Sequence, residues 1–321
     1  MKLRNIIGAG LITALLASCS SGSKDTLTLN GAGATFPAPL YNAMLQSFNA
    51  ATGNKINYQS VGSGAGVRQF AAGTVDFGAS DGAVSDKKQP ASGMVHIPMT
   101  GGAIVPAYNL PGCQVAMTQK ELADVFLGNI TNWNTFGCED RNILVVHRSD
   151  GSGTTKGFTN SLSAFSEEWR TQVGTGKAVK WPTGVGAKGN SGVAATIKNQ
   201  IGAIGYLNYG YITSSGFQQV AIENRAGNFV TANAETSAAG LGQIVLDDQL
   251  RGADANPAGE NAYPIVSLTW ILAYPESKPG VKEILRYMLS PEAQAMSDRL
   301  GYVPLPEELR QSALEAVESI N

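Results

Sequence analysis

Residues 143–165 constrain the fold more than any other stretch of this chain. Ile143-Leu144-Val145-Val146 is an apolar run that reads as a buried strand, and residues 156–165 read as a helix. Between them the chain breaks into His147-Arg148-Ser149-Asp150-Gly151-Ser152-Gly153-Thr154-Thr155. A strand that dissolves into Gly, Ser and Thr just before a helix presents free backbone N–H groups at the positive end of a helix dipole. Adding hydroxyls and one guanidinium makes a cradle suited to a small oxyanion.

The same alternation runs along the rest of the chain and predicts an α/β fold. Residues 27–30, 56–60, 75–79, 203–207 and 265–273 read as strands. Residues 37–49 read as a helix with Leu40, Met44 and Phe48 on one face and a proline in its first turn. Helices are also predicted over 66–72, over 118–126 behind a Thr118-x-x-Glu121 capping box, and over 278–289, 291–300 and 306–320. Ser290 is the expected N-cap of the second of these last three, with Pro291 at its first position. Residues 208–262 mix Gly, Ala, Asn and Ser with weak periodicity and are assigned only loosely. At 321 residues the chain is long for one core and comfortable for two lobes.

Three further breaks follow or interrupt strand signals: Gly31-Ala32-Gly33-Ala34-Thr35-Phe36-Pro37-Ala38-Pro39, Gly62-Ser63-Gly64-Ala65-Gly66, and Gly78-Ala79-Ser80-Asp81. A single Gly-rich turn is usually structural. Four of them, supplying Thr35, Ser63, Ser152 and Thr154, suggest one ligand site at the carboxyl ends of the strands.

The N-terminus reads as a targeting segment. Lys2 and Arg4 precede a short apolar stretch, too short to span a bilayer, that ends Leu16-Ala17-Ser18-Cys19. This ending resembles the lipobox of bacterial lipoproteins, in which Cys19 becomes the acylated first residue; an ordinary secretory signal with a chance cysteine is the alternative. Residues 20–25 then form a flexible tether. With Cys19 set aside, Cys113 and Cys138 are an even pair in an exported chain and are expected to form a disulfide, two unpaired thiols being the other outcome.

Several motifs resemble those of one family. Gly-Ala-Gly-Ala-Thr-Phe-Pro-Ala-Pro (31–39), Thr-Val-Asp-Phe-Gly-Ala-Ser-Asp (74–81) and Arg-Ser-Asp-Gly-Ser-Gly-Thr (148–154) are similar to the PstS-type phosphate-binding proteins of bacterial phosphate ABC importers. Glu168-Trp169, Val-Gly-Thr-Gly (173–176), Lys-Trp-Pro (180–182), the 186–192 run with Ala187 interposed, and Gly-Ala-Ile-Gly-Tyr (202–206) continue the likeness in order. It fades between about 212 and 260 and in the C-terminal helices.

The resemblance implies a two-lobed periplasmic-binding-protein fold of type II that closes on one phosphate ion. Lobe I would comprise 26–100 and 269–321, and lobe II 101–268. The implied ligands are Thr35, Phe36, Ser63 and Asp81 from the first lobe, with Arg148, Ser152, Gly153 and Thr154 from the second. Phe36 would contribute its backbone N–H while its ring packs, and Asp150 would pair with Arg148 without touching ligand. Asp81 beside an anion makes sense if it accepts the proton that phosphate still carries; sulfate has none to give.

The remaining expectations follow from composition and from what the chain lacks. With 15% charged residues, a formal net charge of −2 and no basic run, nucleic acid is not expected as a partner. The chain has only His96 and His147, which leaves little material for a catalytic triad, and no clustered ligands for a metal. No cofactor and no enzymatic activity are expected. An exported phosphoester hydrolase, or a sulfate or molybdate receptor, are the rival readings. Trp181 and Trp270 read as packing residues. The expected whole is a lipid-anchored monomer in the cell envelope that binds phosphate and docks on a membrane permease.

Overall fold

A computed structural model describes residues 26–321. The chain begins β1 (Thr28–Gly33), α1 (Ala38–Thr52), β2 (Lys55–Ser60), α2 (Ser63–Ala71), β3 (Phe77–Ser80) and β4 (Val95–Tyr108). It continues β5 (Ala116–Met117), α3 (Gln119–Leu127), β6 (Leu144–Arg148), α4 (Gly153–Phe165), α5 (Glu167–Gln172), β7 (Val185–Ala187), α6 (Gly189–Asn199) and β8 (Ala203–Asn208). Then come α7 (Tyr209–Ser215), β9 (Gln218–Gln219), β10 (Ala221–Glu223), β11 (Phe229–Val230), α8 (Ala234–Leu241) and β12 (Val266–Ala273). Four helices close the chain: α9 (Val281–Met288), α10 (Pro291–Gln294), α11 (Met296–Arg299) and α12 (Glu307–Glu318).

Strands follow the order β2-β1-β3-β12-β4-β8-β6-β7, with β9 also on β4 and a small separate sheet β11-β10-β5. β1 lies parallel between β2 and β3, and β6 lies parallel between β7 and β8. These two parallel groups are the cores of two lobes, and β4 is their common spine. Its residues 95–103 pair antiparallel with β12, and residues 104–108 pair antiparallel with β8. The C-terminal helices return to the first lobe, where Tyr287 of α9 packs on Phe48 of α1 and Gln294 donates to the Met99 carbonyl (3.0 Å).

Local chemistry explains most element ends. In α3, Thr118 and Glu121 form the expected capping box, and Gly128 closes the helix in the left-handed region. Ser290 caps α10 as expected, but residues 291–300 form two short helices, α10 and α11, broken at Ala295. β4 gave no strand signal because Pro98, Gly101, Gly102 and Pro106 interrupt it. Pro98 is tolerated where the β4–β12 register shifts at Thr269/Trp270. Within 208–262 the structure forms α7, α8 and the short strands β9, β10 and β11.

Aromatic side chains fill the second lobe. Trp181 stacks on His147 (4.9 Å) and on Tyr206 (5.7 Å), which in turn stacks on Phe158 (4.3 Å). Trp270 is buried and its indole donates to the Leu250 carbonyl at 2.7 Å. Cys113 and Cys138 are joined in a disulfide. Among the described residues no helix is long and apolar enough to cross a membrane. Cys19, the segment 1–19 and the tether as far as residue 25 lie outside the described residues.

Candidate functional site

Three helices begin at one place between the lobes. α2 starts at Ser63, α4 at Gly153 and α6 at Gly189. The first two start three residues earlier than the sequence pattern predicts, because Gly, Ser and Thr that look like loop form the first helical turn. First-turn N–H groups have no intrahelical partner; in α6 Gly189 N is taken by Asp150 Oδ1 at 2.9 Å and Asn190 N by Thr35 Oγ1 at 3.2 Å, which ties this helix start to both neighbouring loops. Gly64 N donates to Gly151 O at 2.7 Å, which brings the α2 and α4 starts together across the cleft. At Gly153 a Cβ would lie 2.5 Å from Ser63 Oγ and 2.7 Å from Asp81 Cβ, so only glycine permits this approach.

Every residue expected in the ligand set is buried here. Thr35 and Phe36 follow β1, Ser63 opens α2 and Asp81 follows β3; Arg148 ends β6, and Ser152, Gly153 and Thr154 begin α4. Asp81 Oδ2 lies 3.3 Å from Ser63 Oγ and 3.4 Å from Thr154 Oγ1, which belong to different lobes. Ser152 Oγ accepts from Thr155 N at 3.0 Å as the α4 cap, leaving its own O–H proton free to donate. The Phe36 ring packs edge-on against Tyr302 at 6.1 Å, which turns its backbone rather than its ring toward the site.

Arg148 is held in a two-pronged pair with Asp150, Nε to Oδ1 at 2.7 Å and Nη2 to Oδ2 at 2.6 Å. Gly189 N also donates to Asp150 Oδ1 at 2.9 Å. Burial alone would raise the Asp150 carboxyl, but the Arg148 hydrogen bonds and charge outweigh it and hold the carboxyl below its usual range. Nη1 of Arg148 is the nitrogen this pair leaves uncommitted, 3.5 Å from Thr154 Oγ1. Asp81 behaves oppositely. Burial pushes it up to about 6, against the pull of the Thr269 hydroxyl, Arg148, Lys177 and the Ser63 hydroxyl.

Sequence reasoning missed four groups that complete the site. Thr269 at β12 donates to Asp81 Oδ1 at 3.0 Å. Tyr302 donates to Phe36 O (2.7 Å), and Tyr211 donates to Thr35 O (2.9 Å). Asn190, wholly buried at the start of α6, reaches both lobes. In the amide orientation that suits its neighbours, Oδ1 accepts from Thr35 Oγ1 (2.8 Å), Thr154 Oγ1 (3.2 Å), Phe36 N (3.2 Å) and Arg148 Nη1 (3.3 Å). Asn190 stands inside the 186–192 motif, so its position was visible although its role was not. Thr269, Tyr211 and Tyr302 carried no local signal.

Hydrolytic chemistry finds no assembly here. Gly78-Ala79-Ser80-Asp81-Gly82 does have the Gly-x-Ser-x-Gly spacing of a nucleophilic serine. Ser80 Oγ, however, donates to Gly82 O at 2.6 Å within its own turn, while His96 accepts from Val84 N (3.1 Å) and His147 stacks on Trp181. Burial pushes His96 down to about 4, so it is neutral near pH 7. No group of three metal-ligating side chains is found among the described residues.

Comparison with known proteins agrees with this geometry. Residues 19–292 match the family model described as a PBP superfamily domain. The chain is 37% identical over 329 aligned positions to the phosphate-binding protein PstS of Pasteurella multocida, covering 94% of this chain and 93% of that one. It is 38% identical over 309 positions to the PstS of Haemophilus influenzae, covering 88% and 90%. Among solved structures it resembles a putative phosphate ABC transporter substrate-binding protein with bound phosphate from Clostridium perfringens (TM-score 0.70, 19% identity, 87% of this chain and 100% of that one). A high-affinity periplasmic phosphate-binding protein bound with phosphate is similarly alike (TM-score 0.72, 22% identity, 89% and 92%). The chain therefore belongs to the PBP superfamily and, within it, to the PstS phosphate-binding proteins.

Proposed function

We propose that this chain binds inorganic phosphate, as the mono- or dihydrogen ion, between its lobes and delivers it to the permease of a phosphate ABC transporter. Membership of the PstS family supports a receptor rather than an enzyme. The observation that carries the reading is Asp81, a carboxylate only 4% exposed, set among the hydroxyls of Ser63, Thr154 and Thr269. Above its raised pKa it is a pure acceptor and accepts a hydrogen bond that the P–OH group of phosphate donates. Sulfate carries no proton near neutral pH and would leave two acceptors facing each other in a dry cleft.

The donors are Thr35, Phe36 N–H, Ser63, Arg148 Nη1, Ser152, Gly153 N–H and Thr154, with Asp150 orienting the arginine. Lobe I comprises 26–100 with 269–321 and lobe II 101–268. The anion is buried by a hinge motion about the spine strands, driven by contacts made from both lobes at once. The chain acts as a monomer on the periplasmic side, tethered through lipid on Cys19.

A titration of the delipidated protein with phosphate, arsenate and sulfate, followed by tryptophan fluorescence or heat, tests this. Saturable phosphate and arsenate binding is expected, with no sulfate binding at neutral pH and no release of phosphate from a phosphomonoester. Preference for sulfate would favour a sulfate receptor, and turnover of the ester would make it a hydrolase.

A further inference from the structure

Asp81 presents a problem of charge that the ligand set does not solve. The Arg148 guanidinium is already matched by Asp150, so a buried Asp81 carboxylate and a bound anion would share a cleft with no cation left to offset them. Two ammonium groups of the second lobe reach this turn: Lys156 of α4, whose Nζ donates to Ala83 O at 3.5 Å, and Lys177, which comes to the residue beside Asp81. Lys177, in the segment after α5, donates from Nζ to Ser80 Oγ at 2.9 Å, next to Asp81. Its backbone carbonyl accepts from Ser152 N at 2.7 Å. One residue therefore touches the neighbour of Asp81 through its side chain and the α4 anion cradle through its backbone. The side-chain contact crosses the cleft, and separating the lobes breaks it.

We propose that Lys177 is a positioning residue of the anion site: on closure it brings an ammonium against the Ser80–Asp81 turn, keeps Asp81 in its acceptor form, and so sets the pH range over which phosphate is preferred to sulfate. This rests on the phosphate reading above. The groups that face this pair are few. Asp81 meets Arg148 of β6, Lys177, and the phenols Tyr41 of α1, Tyr58 of β2, Tyr211 of α7 and Tyr302 before α12. Lys177 meets Asp81, Lys156 of α4, Lys88 of the turn after β3 and His96 of β4, which burial keeps neutral near pH 7. Burial pushes all four phenols up, Tyr211 to about 12, so they stay neutral below pH 9. Burial and the nearby Lys156 pull Lys177 down to about 8, while Asp81 pulls it up. Asp81 and Lys177 thus bracket neutral pH, the first gaining its charge below it and the second losing its charge above it.

The test is calorimetric titration of phosphate and of sulfate from pH 5 to pH 9 on wild type, Lys177→Gln and Lys177→Arg. In wild type, sulfate binding sets in as Asp81 protonates below about pH 6, and phosphate affinity falls as Lys177 deprotonates through about pH 8. Lys177→Gln is expected to weaken phosphate roughly tenfold at pH 7 and to move the onset of sulfate binding to higher pH. Lys177→Arg, whose charge does not titrate, is expected to keep neutral-pH affinity and lose the alkaline fall. A Lys177→Gln protein with an unshifted sulfate onset, or a Lys177→Arg protein with the wild-type alkaline fall, would overturn the proposal. Wild type that fails to bind phosphate would instead overturn the phosphate reading.

Discussion

On the proposed reading Asp81 is the residue on which selectivity turns, and its burial leaves a mark on stability that can be read without ligand. Its pKa is raised from 3.8 to about 6 in the folded chain, so folding favours the protonated form. The associated stability is fully present below pH 3.8 and is lost as pH rises through about 6. Asp81→Asn is permanently neutral and escapes that loss. Its melting temperature without ligand should match wild type near pH 4 and exceed it at pH 8, by the equivalent of about 3 kcal/mol at most. A difference that stays constant across that range would show that Asp81 is not strained by its site. Asn190 makes a separate prediction, because its one amide oxygen gathers donors from both lobes. Asn190→Ala should weaken phosphate by about 1–3 kcal/mol, chiefly through a faster off-rate, since it unties Thr35 from Thr154 only in the closed form. Stopped-flow fluorescence separates this from a slower on-rate, which would place Asn190 in the entry path instead.

At the level of elements, the βα junctions control how closely the lobes can meet. Gly153→Ala puts a methyl where Ser63 Oγ and Asp81 Cβ already stand, at 2.5 and 2.7 Å. Overpacking of this kind costs about 1–3 kcal/mol, which should appear as phosphate affinity roughly 5- to 150-fold weaker. Unchanged affinity would mean the lobes do not need this approach. The disulfide contributes elsewhere. Cys113–Cys138 ties the long connection between β4 and β6, and neither cysteine is in the candidate ligand set. Its reduction should lower unfolding stability by roughly 3 kcal/mol in a denaturant titration and leave phosphate affinity intact.

Elements are also where the sequence was read most and least faithfully. β1, β2, β6, β8 and β12 announced themselves through β-branched and apolar runs, and α1 and α3 through periodicity and caps. The starts of α2 and α4 did not, because Ser63, Gly64, Gly153 and Thr154 have the composition of a loop while occupying a first turn. β4 hid behind two prolines and a Gly-Gly pair, since its stability comes from neighbours distant in sequence rather than from local propensity. Arg148, Asp150, Ser152 and Thr154 were legible because one turn holds them all. Thr269, Tyr211 and Tyr302 were not, because tertiary packing alone brings them to Asp81, Thr35 and Phe36.

Across the whole molecule, one spine strand joins two groups of parallel strands whose ends and following helix starts face each other. On the proposed reading that arrangement makes affinity depend on closure: each lobe alone holds only part of the donor set, and Asp81 and Arg148 come from opposite sides. On the same reading the anion is chosen by the pairing of a charged donor on one lobe with an uncompromising acceptor on the other. Titration of wild type and Asp81→Asn side by side, with phosphate and with sulfate at pH 8, tests this most directly. Wild type should bind phosphate and refuse sulfate, whereas Asp81→Asn should bind sulfate measurably while losing less for phosphate than it gains for sulfate. Wild type that does not bind phosphate, or an Asp81→Asn protein that rejects sulfate as firmly as wild type, would contradict it.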